Sequence, residues 1–231
     1  MNKIEFEVKF KKIANKLNFN YKNIDLYYEA FVHPSFANEH RLDFHYERME
    51  FLGDAVLELV VSQYLFDHYK EKTEGELTKL RASLVCEATL SQCAKEMGIS
   101  DYLLLSKGEE LTGGRQRESI LCDVFEAVLG AIYLDGGLNV AKKHVERFLM
   151  TDIEEKQLFY DAKTILQEKM QKDGNKVCYE LVEERGPQHS KEFKVHAVID
   201  GTVVGEGIGK TKKAAEQMAA YHTLTASKDK K

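Results

Sequence analysis

The chain has 231 residues, 43% of them apolar, with a formal charge of -5, two prolines, no tryptophan and four cysteines. That length and apolar content suffice for one large domain or two smaller ones with a real core, and they exclude a wholly disordered chain. Residues 161–231 carry 13 Lys and Arg against 11 Asp and Glu, and the remainder 20 against 27, so the charge divides into +2 and -7 and nucleic acid is not excluded as a partner.

The N-terminal stretch MNKIEFEVKFKK interleaves charged and apolar residues and lacks the apolar centre and cleavage site of a signal peptide. The longest nearly apolar stretch, residues 120–134, contains Asp123 and Glu126 and is shorter than the roughly 20 residues a membrane span needs. A cytoplasmic protein with no membrane partner is expected. Cys86, Cys93, Cys122 and Cys178 form no CxxC pair and sit in apolar runs, which reads as reduced core thiols and not as a zinc site.

Phe6, Phe10, Ile13 and Leu17 follow the spacing of an amphipathic opening helix. Helical periodicity continues to about residue 150, with breaks expected at Pro34, Gly53, Gly75, Gly98, the loop containing Gly108, Gly113 and Gly114, and the pair Gly136-Gly137. That outlines seven or eight helices. The period is then lost in a charged stretch, so a linker is placed at residues 154–160. A second domain begins near Asp161 with a helix over residues 163–171, closed by the turn signal Asp173-Gly174-Asn175. Strands are expected at 177–183, 192–200 and 202–207, the last two joined by an Asp200-Gly201 hairpin, before an alanine-rich helix over 212–226.

Within the apolar run at residues 49–66 the only side chains that carry a charge at neutral pH are Glu50, Asp54 and Glu58, and within residues 119–134 only Asp123 and Glu126. Helices so apolar all round are expected to be buried. Glu50 and Asp54 are four apart and Asp123 and Glu126 three apart, so each pair projects from one helix face. Acids at such spacing are commonly solvated or paired with cations, but neither run contains Lys or Arg to neutralise them. A hard divalent cation would neutralise them. Oxygen-only ligands suit Mg²⁺, with Mn²⁺ able to substitute, and metals so held activate water in nucleases. Glu58 reads as an ordinary polar residue.

The string ERMEFLGDAVLE (residues 47–58) closely resembles the signature of the ribonuclease III family. GELTKLRASLVCE (75–87), LLLSKGEELTGGRQR (103–117) and DVFEAVLGAIYLDGG (123–137) resemble that family in the same order and spacing. The resemblance implies that the metal acids are Glu50, Asp54, Asp123 and Glu126, with Asp54 and Glu126 most directly catalytic. It gives Glu47 and Glu74 indirect roles near the cleft and makes Phe51 a contact of a homodimer. It departs at one position, where the Asn that commonly precedes the signature is Tyr46.

Residues 161–227 resemble a double-stranded RNA-binding domain in their helix, three strands, helix order. Gln167 and Gln171 can offer amides to 2′-hydroxyls from a helix whose Leu166 and Met170 face inward. GPQH, with Gly186, Pro187 and His189, matches the loop such domains insert into a minor groove. Lys210, Lys212 and Lys213 cluster at the start of the last helix, where phosphate would be stabilised. GEGIGKT (205–211) imitates a P-loop but fails it, because the position five before Gly209 is Val204, so no nucleotide cofactor is expected. His33 reads as a hydrogen-bonded structural residue, and His144 and His222 as surface or packing residues.

The expectation is therefore an all-α catalytic domain over residues 1–153, a linker at 154–160, an α+β RNA-binding domain at 161–227 and a charged tail at 228–231. The implied activity is endonucleolytic hydrolysis of double-stranded RNA, giving 5′-phosphate and 3′-hydroxyl ends with short 3′ overhangs, in ribosomal RNA precursor and mRNA processing. A non-cleaving RNA-binding protein and a phosphohydrolase of small nucleotides are the rival readings.

Overall fold

The computed structural model describes residues 3–17, 20–187 and 191–226. The chain forms two compact units, Met1–Thr151 and Asp152–Lys231.

The first unit is helical. Helix α1 (Lys3–Leu17) buries Phe6, Phe10 and Ile13, and its two phenylalanines stack at 5.4 Å and pack on Tyr27 and Phe31 around α2 (Ile24–Ala30). Asn23 caps α2 by accepting from the Asp25 N–H at 3.0 Å. Helix α3 (Pro34–His40) begins with Pro34, whose missing N–H costs nothing there. Nδ1 of His33 accepts from the Ser35 N–H at 3.0 Å, the structural role expected of that histidine.

Helices α4 (Glu47–His68), α5 (Glu74–Leu84), α6 (Glu87–Met97), α7 (Lys107–Leu111), α8 (Glu118–Gly136) and α9 (Leu138–Phe148) follow. This makes nine α-helices among the described residues of the unit, not seven or eight. Thr73 and Glu76 form a reciprocal capping box on α5, and Gly98 closes α6 in the left-handed conformation.

Three of the expected glycine breaks are not breaks. Gly75 lies in the first turn of α5, Gly108 inside α7, and Gly53 in the middle of α4. Glycine at position 53 serves close approach to another helix instead of a turn. A Cβ built there would fall 1.8 Å from the Glu126 carbonyl oxygen of α8, and one built on Gly130 would fall 2.4 Å from the Met49 carbonyl oxygen. Helices α4 and α8 thus cross with their backbones in contact.

The expectation that α4 is buried all round is also corrected. It buries Met49, Val56, Leu57, Val60, Val61 and Leu65 but leaves Phe51, Leu59 and Phe66 in solvent at 80%, 54% and 72% exposure. Of the cysteines, only Cys93 is a buried core thiol. Cys86 and Cys122 are half-buried and Cys178 is exposed on a strand, where alternate side chains leave the core. His144 is buried and His222 exposed, its Nδ1 2.7 Å from the Glu206 carbonyl oxygen.

The second unit opens with α10 (Ile153–Lys172), so the stretch expected as a linker, 154–160, is helical. Glu154 and Glu155 favour the positive end of a helix, and Leu158 packs with Ala162, Leu166, Ala220 and Leu224. The helical path is interrupted at Asp161, where φ is -123° and ψ 25°. Strands β1 (Val177–Arg185), β2 (Glu192–Ile199) and β3 (Thr202–Gly209) form an antiparallel sheet in that order, β1 and β3 each running two residues beyond their expected ends. Asp200 and Gly201 both have positive φ, as their hairpin turn requires. Helix α11 (Lys212–Ala226) packs on β3 and β2. Gly205, Gly207 and Gly209 lie directly beneath it: a Cβ on Gly207 would fall 2.2 Å from the Ala215 carbonyl oxygen.

Candidate functional site

The backbone contact at Gly53 and Gly130 brings together the two acid pairs carried by α4 and α8. Asp54 follows Gly53, and Glu126 lies one turn before Gly130. Asp54 is exposed, while Glu50, Asp123 and Glu126 are half-buried. Their mutual proximity is visible in their proton affinities. Burial, followed by the negative charges of Asp54, Glu50 and Asp123, pushes the Glu126 carboxyl up to about 8. Burial and then Asp123, Glu47 and Asp54 push Glu50 up to about 7. Asp123 is raised by burial and by Glu87 and Glu47, against the opposing effect of a hydrogen bond from the Tyr46 hydroxyl to its Oδ2 at 3.2 Å.

This set of oxygen donors, three of which hold their protons more tightly for being part-buried among like charges, is chemically matched to a hard divalent cation. The acids stand as two facing pairs and not as a finished cage. Among the described residues no three His, Cys, Asp or Glu side chains converge closely enough to hold an ion as they stand.

The neighbouring acids divide. Glu47 is exposed at the start of α4, 3.7 Å from Nδ1 of His45, and contributes to the field at Glu50 and Asp123. Glu74 starts α5 and accepts from the Thr78 hydroxyl at 3.0 Å. Glu58 pairs with Nε of Arg81 at 2.9 Å, an ordinary structural ion pair. Glu87, at the start of α6, was not singled out from the sequence, yet its charge raises both Asp123 and Cys122. It closes one of the four family-like strings, the only signal that could have drawn attention to it.

In the second unit Gln167 and Gln171 are exposed on α10 while Leu166 is buried and Met170 packs beside it. Gly186, with φ 88°, and Pro187 are exposed after β1; His189 lies outside the described residues. Lys210, Lys212 and Lys213 are exposed around the start of α11, where the Thr211 hydroxyl accepts from the Ala214 N–H at 3.1 Å. The P-loop-like string lies in β3 and the turn after it, its glycines set against α11, so it does not wrap a phosphate.

Residues 23–153 match the family profile described as Ribonuclease-III-like, and residues 162–226 match the double-stranded RNA binding motif. The chain belongs to the ribonuclease III family. Ribonuclease 3 of Geobacillus kaustophilus is 46% identical over 221 residues, covering 94% of this chain and 90% of that one. Ribonuclease 3 of a bovine strain of Staphylococcus aureus is 48% identical, covering 93% and 90%. The nuclease domain of ribonuclease III from Campylobacter jejuni, a structure described as flexible in a region involved in dimer formation, superposes with a TM-score of 0.58 at 40% identity, covering 61% of this chain and 96% of that one. Membership of the ribonuclease III family, joined to an RNA binding motif, makes the chain an endoribonuclease of double-stranded RNA. No helix among its described residues is long and apolar enough to cross a membrane.

Proposed function

We propose that Glu50, Asp54, Asp123 and Glu126 hold Mg²⁺, for which Mn²⁺ can substitute, and that the chain uses them to hydrolyse both strands of duplex RNA. The observation that carries this reading is the close backbone crossing at Gly53 and Gly130, which sets two acid pairs face to face with no lysine or arginine within either of the runs that bear them. When bound, the cation supplies charge neutralisation and lowers the pKa of water. Asp54 and Glu126, one on each helix, orient water against the phosphodiester. The oxygen of water bonds to phosphorus as the 3′-oxygen leaves with a proton, giving 5′-phosphate and 3′-hydroxyl ends.

The duplex is held by Gln167 and Gln171, by the loop containing Gly186, Pro187 and His189, and by Lys210, Lys212 and Lys213. Phe51, exposed with Leu59 and Phe66 on one helix, supports homodimerisation through α4, which would place two active sites on one duplex and yield short 3′ overhangs. Ribosomal RNA precursors and mRNAs in the cytoplasm are the substrates that suit such a protein.

The test is Glu126→Gln, assayed on labelled duplex RNA with and without Mg²⁺. Cleavage is expected to fall by about 10³ or more, equivalent to about 4 kcal/mol of transition-state stabilisation, with duplex affinity within a few fold of the parent. Near-normal cleavage by the variant would remove Glu126 from the site. A parent chain that binds duplex RNA and leaves it intact in Mg²⁺ would favour the non-cleaving rival.

A further inference from the structure

Tyr46, the residue immediately before α4, is only 3% exposed, and its hydroxyl donates to Asp123 Oδ2 at 3.2 Å. The tyrosine is itself firmly held. Its N–H donates to the Val32 carbonyl at 2.9 Å, and its carbonyl accepts from the N–H groups of Met49 and Glu50 at 2.8 and 2.9 Å. The imidazole of His33 meets its ring edge-on at 5.6 Å, and His33 is in turn fixed through Nδ1 to Ser35. One residue therefore touches both halves of the acid cluster. Its main chain starts the helix that bears Glu50 and Asp54, and its side chain reaches the aspartate of the opposite helix.

We propose that Tyr46 is a positioning residue whose hydroxyl holds the Asp123 carboxylate in the orientation that receives a divalent cation. The inference rests on the four-carboxylate reading above. A carboxylate offers about four lone-pair sites, so one accepted hydrogen bond leaves the others for an ion. A donor fixed from behind removes the rotamers that do not face the site, and losing such a supporting hydrogen bond typically weakens metal binding 10- to 100-fold. The phenol spans from the start of α4 to the opposite helix.

The experiment measures Mn²⁺ binding to the RNA-free full-length chain by electron paramagnetic resonance, comparing the parent with Tyr46→Phe and Asp123→Asn. Tyr46→Phe keeps the ring and loses only the O–H. Its affinity for Mn²⁺ is expected to fall about 10-fold, and its cleavage to recover when Mg²⁺ is raised. Unchanged affinity in Tyr46→Phe beside weakened affinity in Asp123→Asn would overturn the role of Tyr46 and leave the carboxylate reading standing. A parent that binds no Mn²⁺, or an Asp123→Asn chain that binds it like the parent, would overturn both. Should Tyr46→Phe fail to melt cooperatively in EDTA, 3-fluorotyrosine at position 46 serves instead. Its ¹⁹F resonance should move on addition of Mg²⁺ to the otherwise native chain and stay still when Asp123 is asparagine, and a resonance that ignores Mg²⁺ in the native background would overturn the proposal.

Discussion

Gly53 and Gly130 pack so closely across the crossing of α4 and α8 that neither position has room for a methyl group. The obstructing atoms are main-chain carbonyls of Glu126 and Met49, which cannot rotate aside as a flexible side chain could. Gly53→Ala is therefore expected to destabilise the nuclease unit by about 3 kcal/mol or more and to separate the acid pairs. Gly75→Ala is the control. A Cβ there meets nothing within 4 Å, and the change should be neutral or stabilise by up to about 1 kcal/mol. Thermal melts of both variants check the contrast, and equal melting temperatures would contradict it.

The raised proton affinities of Glu50 and Glu126 predict a pH dependence for the metal-free chain. A folded state that holds protons more tightly than the unfolded one loses stability as pH rises from the ordinary carboxylate value, 4.5, through the folded values near 7 and 8. Glu126→Gln removes one of these groups. In EDTA the variant should gain on the parent by about 1 kcal/mol between pH 5.5 and 8.5, a modest figure because solvent screens half-exposed acids. Mg²⁺ should stabilise the parent most at the upper end of that range, where the acids are ionised. Calorimetry at three pH values decides; a gap that narrows with rising pH would contradict the assignment.

These acids were legible in the sequence because they are isolated charges inside apolar runs, at spacings that place each pair on one face. Gly53 was misread because its use is tertiary: a glycine needed for close approach looks, within its own segment, like a glycine needed for a turn. The exposed row of Phe51, Leu59 and Phe66 was hidden for a related reason. A helix with apolar residues on every side does not show which side its own chain covers. Residues 154–160 lacked an apolar period because Leu158 is the main buried anchor in that stretch. The three strands and the Asp200-Gly201 turn were legible because local backbone chemistry alone determines such a hairpin.

Lys210, Lys212 and Lys213 are expected to act through phosphates and not through base edges. Replacing all three with alanine should weaken duplex binding for every sequence alike. It should also flatten the dependence of affinity on salt by roughly 0.7 to 0.9 of a log unit per lost contact, on the scale known for single strands and duplex DNA. Filter binding across a salt series is the measurement, and an unchanged slope would remove these lysines from the interface.

Phe51 contributes nothing to the core of its own chain, being 80% exposed, so Phe51→Glu should leave the helical content intact. If α4 forms the homodimer contact, a charge there costs at least the burial of one phenylalanine per protomer, about 1.5–3 kcal/mol, and dimer dissociation should rise at least 10-fold. Sedimentation equilibrium reports this directly. A variant that stays as dimeric as the parent would place the contact elsewhere.

The seat of α11 on the three glycines of β3 bears on the entropy of gripping a polyanion. With Gly207 and Gly209 beneath Ala215, the main chain at the start of the helix is fixed against the sheet once the unit has folded. A phosphate met by Lys212 or Lys213 then restricts only a side chain, which costs roughly 2 kcal/mol of rotamer freedom at most. No loop has to be ordered at the moment of contact. If these lysines meet phosphates as proposed, the unit need not refold around a duplex to engage one, whatever its sequence.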